Sequence, residues 1–229
     1  MSTNFLIIGA ASAMAKATSQ LLQANGGNTI GISRGDCSSH YTKTFQVTDY
    51  RTESLPEINE PISGLVYFPG SIRLKPFNRI SKEEFLEDYS ISVMGAIETI
   101  QKYLPNLKKQ GNSSLVLISS VAASTGMPFH ASVGSAKAAI EGLTLALAAE
   151  FAPVIRVNCI APSLVNTPLA EKFLSSEEKK EAMKKRNPSQ MVGESEDIAE
   201  MVAYILSEKS RYMSGQIIRL DGGHSTLRT

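Results

Sequence analysis

Short apolar runs recur along the 229-residue chain and alternate with longer amphipathic stretches. Asn4 to Ile8 (NFLII), Asn28 to Ser33, Lys43 to Val47 and Gly64 to Phe68 (GLVYF) read as strands, as do Leu115 to Ile118, Val154 to Ile160 (VIRVNCI) and Gly215 to Leu220. Runs this short and this apolar suit parallel strands covered on both faces. Between them the period becomes helical. Ala13 to Ala24 is a helix with Ser12 as N-cap, closed by Asn25-Gly26-Gly27. Ser81 to Leu107 opens on a capping box, Ser81-Lys82-Glu83-Glu84. From about Val133 a helical stripe carries Ala136, Ile140, Leu143 and Leu147. Ser195 to Leu206 is a further helix, with Ser195 as its N-cap. Alternation of strand and helix predicts an α/β fold: a Rossmann-like doubly wound parallel sheet flanked by helices, as a single domain over residues 1–229.

That architecture says where to look for chemistry. Ligands of such folds bind outside the carboxyl ends of the parallel strands. The stretch from Leu115 to Glu150 is central: a buried strand ends at Ser119-Ser120, a loop with Gly126 and Pro128 follows, and the next helix carries Lys137 in its first turns. At the N-terminus a βαβ unit of about 30 residues is how a dinucleotide-binding domain begins. Gly9 ends its first strand. Its second strand ends at Ser33-Arg34, where an acid would bind the ribose of NAD and an arginine accommodates the 2′-phosphate of NADP. A guanidinium matches a phosphate in charge and geometry, so Arg34 favours NADP over NAD.

Composition narrows the function classes. A net charge of +1 offers no electrostatic footprint for nucleic acid or an anionic membrane. No apolar run has the length of a membrane span, and residues 1–12 lack a signal-peptide layout. Two cysteines, Cys37 and Cys159, make no disulfide framework, and a reducing cytoplasm is expected. No metal site is expected. The mixed-charge run Glu177 to Arg186 reads as a solvated helix face.

Taken together, these motifs resemble the short-chain dehydrogenase/reductase family over nearly the whole chain. The family has a Ser at the end of the fifth strand and Tyr-x-x-x-Lys on the following helix. Ser120 and Lys137 fall on the Ser and Lys positions, and Val133 falls on the Tyr position. In the family the Tyr hydroxyl exchanges the proton while a nicotinamide cofactor carries hydride, and the Lys charge lowers the Tyr pKa. Valine has no proton to give. The family's Asn of the long helix corresponds to Ser92. Its Thr-Gly-x-x-x-Gly-x-Gly loop corresponds to Ile8 through Ala15, which keeps Gly9 and places Ser12, Ala13 and Met14 against the pyrophosphate. Its Asp-Val pair near the adenine is Gln46-Val47 here, and Asn-Asn-Ala-Gly is Tyr67-Phe68-Pro69-Gly70. Pro-Gly-x-x-x-Thr becomes Pro162-Ser163-Leu164-Val165-Asn166-Thr167, which places Pro162, Val165 and Thr167 on the nicotinamide side. Ser214-Gly215-Gln216 through Asp221-Gly222-Gly223 is similar to the family's C-terminal signature. The resemblance implies a seven-stranded sheet, a short substrate lid around 168–190, a small-molecule substrate, and a homodimer or homotetramer.

Two functions follow. One is NAD(P)-dependent hydride transfer to or from a carbonyl or alcohol, with Ser120 polarising the oxygen and Lys137 on the nicotinamide ribose. Some other group then supplies the proton, and His130, three residues before Val133, is the candidate acid. The other is a catalytically silent nucleotide-binding sensor or partner subunit, favoured by the replacements at Val133, Ser92 and Ala13.

Overall fold

A computed structural model describes residues 3–228. Seven parallel strands form one sheet in the order β3-β2-β1-β4-β5-β6-β7. They are β1 (Asn4–Ile8), β2 (Asn28–Ser33), β3 (Lys43–Gln46), β4 (Gly64–Tyr67), β5 (Ser113–Ile118), β6 (Ile155–Pro162) and β7 (Ile217–Leu220). Helices α1 (Ala13–Ala24), α2 (Lys82–Tyr89), α3 (Gly95–Gln110) and α4 (Ala131–Phe151) lead to α5 (Glu171–Leu174), α6 (Glu177–Lys185) and α7 (Ser195–Leu206).

Successive strand side chains point to opposite faces, so each strand feeds two cores. From β1, Leu6 and Ile8 pack with Ile100, Tyr103 and Ile140 beneath α3 and α4. Its Phe5 and Ile7 pack with Leu22, Ile198 and Val202 beneath α1 and α7. The order reverses between β1 and β4, the switch point of a doubly wound sheet, where a crevice opens at the carboxyl edge.

The strand expectations hold to within a few residues at each end. Three local features differ. The helix expected over Ser81 to Leu107 is two helices joined by a π turn at Ser90–Met94. Helix α4 begins at Ala131 rather than about Val133. The N-cap position of α7 is Glu194, whose amide donates to Asp197 Oδ2 at 2.8 Å, while Ser195 is the first helical residue and is buried. Asp197, three residues on, reaches back to the Glu194 amide and sets the cap one residue before Ser195.

Candidate active site

The nucleotide-side edge is built first, from β1 and β2. The amides of Gly9 and Ala10 donate to Ile32 O at 2.9 and 3.1 Å, and the amide of Ala11 donates to Ser33 Oγ at 3.1 Å. Ser12 caps α1, its Oγ accepting from the Ala15 amide at 3.3 Å. The first-turn amides of Ala13 and Met14 have no acceptor within a helix that starts there, and they form the positive end of its dipole. Gly9 sits at φ +78° with Pro69 against it, and a Cβ there would come 3.0 Å from the proline ring. At the end of β2, Arg34 is exposed, with its guanidinium 5.9 Å from the centroid of the Tyr50 ring. Gln46 Nε2 donates to Arg34 O at 3.2 Å, and the Val47 amide to Ser33 O at 2.9 Å.

The deeper part is built where β5 meets α4. Ser119 Oγ donates to Glu141 Oε1 at 2.9 Å and to Lys137 O at 3.1 Å, tying the strand end to the helix. Ser120 is extended, and its Oγ accepts from the Ala122 amide at 3.2 Å to cap the short turn Val121–Ala123. Lys137 Nζ reaches back from α4 to donate to Ile118 O at 2.7 Å. A Cβ on Gly70 would lie 3.0 Å from that nitrogen and 3.8 Å from Ser92 Oγ, so Gly70 is the bare surface on which both rest. Ser92 is buried in the π turn. Such a turn disturbs the regular carbonyl ladder of a helix, and here the Tyr67 hydroxyl donates to Ile91 O at 2.6 Å. Burial pulls the Lys137 ammonium from 10.5 down to about 8, because a charged amine is costly in an apolar setting. Burial pushes the neighbouring Cys159 thiol up to about 12.

Ser119, Ser120, Lys137 and Gly70 border a cavity of about 360 Å³ at the carboxyl edge of the sheet, whereas Ser92 does not line it. Val133 lines it too, one helical turn before Lys137. His130 lines it at the start of α4, where its Nδ1 lies 2.8 Å from Pro128 O. Met14 borders it on the α1 side, Pro162 at the end of β6, and Val165 and Thr167 just after it. Leu169, Phe173 and Met183 line it from the segment that holds α5 and α6. Gly9, Ser12, Ala13, Ser33, Arg34 and Gln46 lie along the β1–β3 edge and do not line this cavity.

Sequence reasoning passed over one buried cluster beside it. Asp88 on α2 is fully buried and accepts from Ser71 Oγ and from Ser132 Oγ, each at 2.6 Å. Ser71 lines the cavity and Ser132 precedes Val133. Nothing in the spacing of these residues joins them. Arg186 and His224 also border the cavity and carried no motif.

The sheet order, its reversal at β1/β4 and a carboxyl-edge cavity define a Rossmann-like fold. Comparison with known proteins gives the family. A family model described as Enoyl-(Acyl carrier protein) reductase matches residues 52–225. The 3-oxoacyl-[acyl-carrier-protein] reductase FabG of Thermotoga maritima is 30% identical over 239 residues, covering 95% of this chain and 96% of the relative. A tropinone reductase homologue of Arabidopsis thaliana is 36% identical over 182 residues, covering 77% of this chain and 69% of the relative. Ligand-free aldohexose dehydrogenase of Thermoplasma acidophilum superposes with a TM-score of 0.91 at 23% identity, covering 100% of this chain and 97% of that one. The chain belongs to the short-chain dehydrogenase/reductase family of oxidoreductases.

Proposed function

We propose that this protein is an NAD(P)-dependent oxidoreductase with an altered active site, acting on a carbonyl or alcohol of a small molecule. One observation carries the reading: Lys137 lines an apolar cavity together with Ser120, with its Nζ bonded to Ile118 O. A buried amine is costly unless a ligand or partner answers its remaining donors. A ribose hydroxyl on one side and a substrate oxygen on the other would do so.

The chain's own residues fit a dinucleotide. Gly9 lets the loop turn, and the Ala13 and Met14 amides at the start of α1 suit a pyrophosphate. The exposed Arg34 guanidinium at the end of β2 suits a 2′-phosphate and supports NADP as the preferred cofactor. Ser33, Gln46, Val47 and Pro69 border the adenosine side. Gly70, Pro162, Val165 and Thr167 border the nicotinamide side, and Lys137 holds the ribose. The cofactor, when bound, supplies or accepts hydride. Ser120 orients and polarises the substrate oxygen, and Ser92 stands where the family's Asn does. Residues 168–190 serve as the lid, whose Leu169, Phe173 and Met183 exclude water from the cavity. The chain acts as one domain, assembled as a homodimer or homotetramer. Its buried free cysteines suit a cytoplasmic setting.

A second reading rests on Val133. In a site that occupies the family's Tyr position, a buried valine at the cavity wall exchanges no proton. The protein would then bind nucleotide as a sensor, or serve as a silent partner subunit. Calorimetric titration with NADPH and NADH, followed by NADPH oxidation with a panel of ketones and quinones, separates the readings. Micromolar-range NADPH binding with turnover supports the enzyme. Binding without turnover, with activity appearing in Val133→Tyr, supports the silent form. Absence of binding by either nucleotide sinks the enzyme and the sensor and leaves the partner subunit.

A further inference from the structure

We propose that Lys137 is itself the proton donor of this site, giving a proton from Nζ to the substrate's carbonyl oxygen. The proposal rests on the oxidoreductase reading above. Val133 and Lys137 lie one turn apart on the same face of α4 and both border the cavity, so at the valine's turn the helix presents only methyl groups to the substrate. The next side chain along that face, one turn on, is Lys137. An ammonium has three N–H donors. Ile118 O takes one at 2.7 Å, and bare Gly70 leaves room beside the nitrogen. Two donors are therefore left, one for a ribose hydroxyl and one for the substrate.

The surrounding groups suit a proton that can leave. Cys159 faces the amine from β6, and with its thiol pushed up to about 12 it stays neutral. Glu141, on the amine's own helix, accepts from Ser119 Oγ. From α2, Asp88 is turned to Ser71 and Ser132. His130, Arg186 and His224 border the same cavity. His130 is tied at Nδ1 to its own loop carbonyl, Pro128 O, at the start of the helix. With its affinity for protons lowered to about 8, Lys137 exchanges readily near neutrality, as a general acid must.

The step balances. As hydride reaches the carbonyl carbon, one N–H bond of Lys137 breaks and one O–H bond forms on the substrate. The carbonyl is reduced by two electrons, the nicotinamide is oxidised, and the neutral amine takes its next proton from water at the cavity mouth.

The test uses the full chain carrying ¹³C at lysine Cε. Lysine signals are followed by NMR against pH, with and without NADPH, and Lys137→Met identifies the signal of interest. The expected result is one lysine about a hundredfold more acidic than the solvent-exposed ones. The rate of ketone reduction should fall about tenfold for each pH unit above the same midpoint. Lys137→Arg keeps the charge but cannot release the proton. It should still bind NADPH and lose at least about a hundredfold in kcat. The proposal is overturned if Lys137 titrates with the surface lysines, if Lys137→Arg reduces ketones at the original rate, or if the pH dependence vanishes in His130→Ala. NADPH binding without turnover that Val133→Tyr repairs also overturns it and leaves cofactor binding intact. Absence of NADPH binding instead overturns the oxidoreductase reading, and this proposal with it. The wild-type titration remains decisive if the arginine variant does not fold.

Discussion

Replacing Lys137 by Met should make the ligand-free protein more stable near neutral pH. Moving an amine from 10.5 to about 8 corresponds to about 3 kcal/mol of penalty whenever it is charged. The side chain borders the cavity and keeps some contact with water, so about 2–3 kcal/mol is the working figure. Methionine preserves the length of the stem and removes the charge. It also gives up the bond to Ile118 O, which costs about 1 kcal/mol. The net gain near pH 7 is then about 1–2 kcal/mol. The pH dependence fixes the sign. The folded-state pKa lies below the unfolded value, so between about 8 and 10.5 the unfolded chain binds more protons and the wild type gains stability as pH rises. The advantage of the variant should therefore shrink through that window and reverse above it, leaving the variant about 1 kcal/mol worse. Urea unfolding of both proteins near pH 7 and near pH 10 measures the gap, and titrations common to the two cancel. A methionine variant that is less stable near pH 7, or a gap that stays constant with pH, would refute the reasoning.

Three further substitutions probe other parts of the molecule. Asp88→Ala strands the hydroxyls of half-buried Ser71 and buried Ser132 and should cost about 2–4 kcal/mol in urea unfolding; a loss under about 1 kcal/mol would mean that neither bond matters. Gly9→Ala places a Cβ against Pro69 at φ +78° and should lower stability by about 1–2 kcal/mol and weaken NADPH binding, while unchanged thermal unfolding would contradict the strain argument. If Arg34 selects NADPH as proposed, Arg34→Ala should lower the NADPH-to-NADH affinity ratio by about tenfold in calorimetry, and an unaltered ratio would remove Arg34 as the selector.

Much of the architecture was written locally. The apolar runs NFLII and GLVYF announce strands covered on both faces, and β1 does divide Leu6 and Ile8 from Phe5 and Ile7 between two cores. Ser12 and the Ser81–Glu84 capping box are read from adjacent residues because capping is a short-range hydrogen bond. The same holds for the positions of Ser120 and Lys137, which follow from a strand end and a helical turn. Their roles are another matter, because a role depends on what stands around a side chain. Ser71, Asp88 and Ser132 come from three separate segments, and only the packing of α2 against the start of α4 makes them one cluster. The π turn depends on where the Tyr67 hydroxyl from β4 meets the Ile91 carbonyl, and no helical period encodes that contact. Periodicity reports which face of an element is buried. It says nothing about which distant element covers that face. The sequence by itself therefore determined the alternation of strands and helices, their caps, and the presence of a valine one turn before a lysine. Only the tertiary structure decided the strand order, the bare glycine beside that lysine and the apolar walls around it. These arise from contacts between segments far apart in the chain, and those contacts set the desolvation that changes the amine's chemistry.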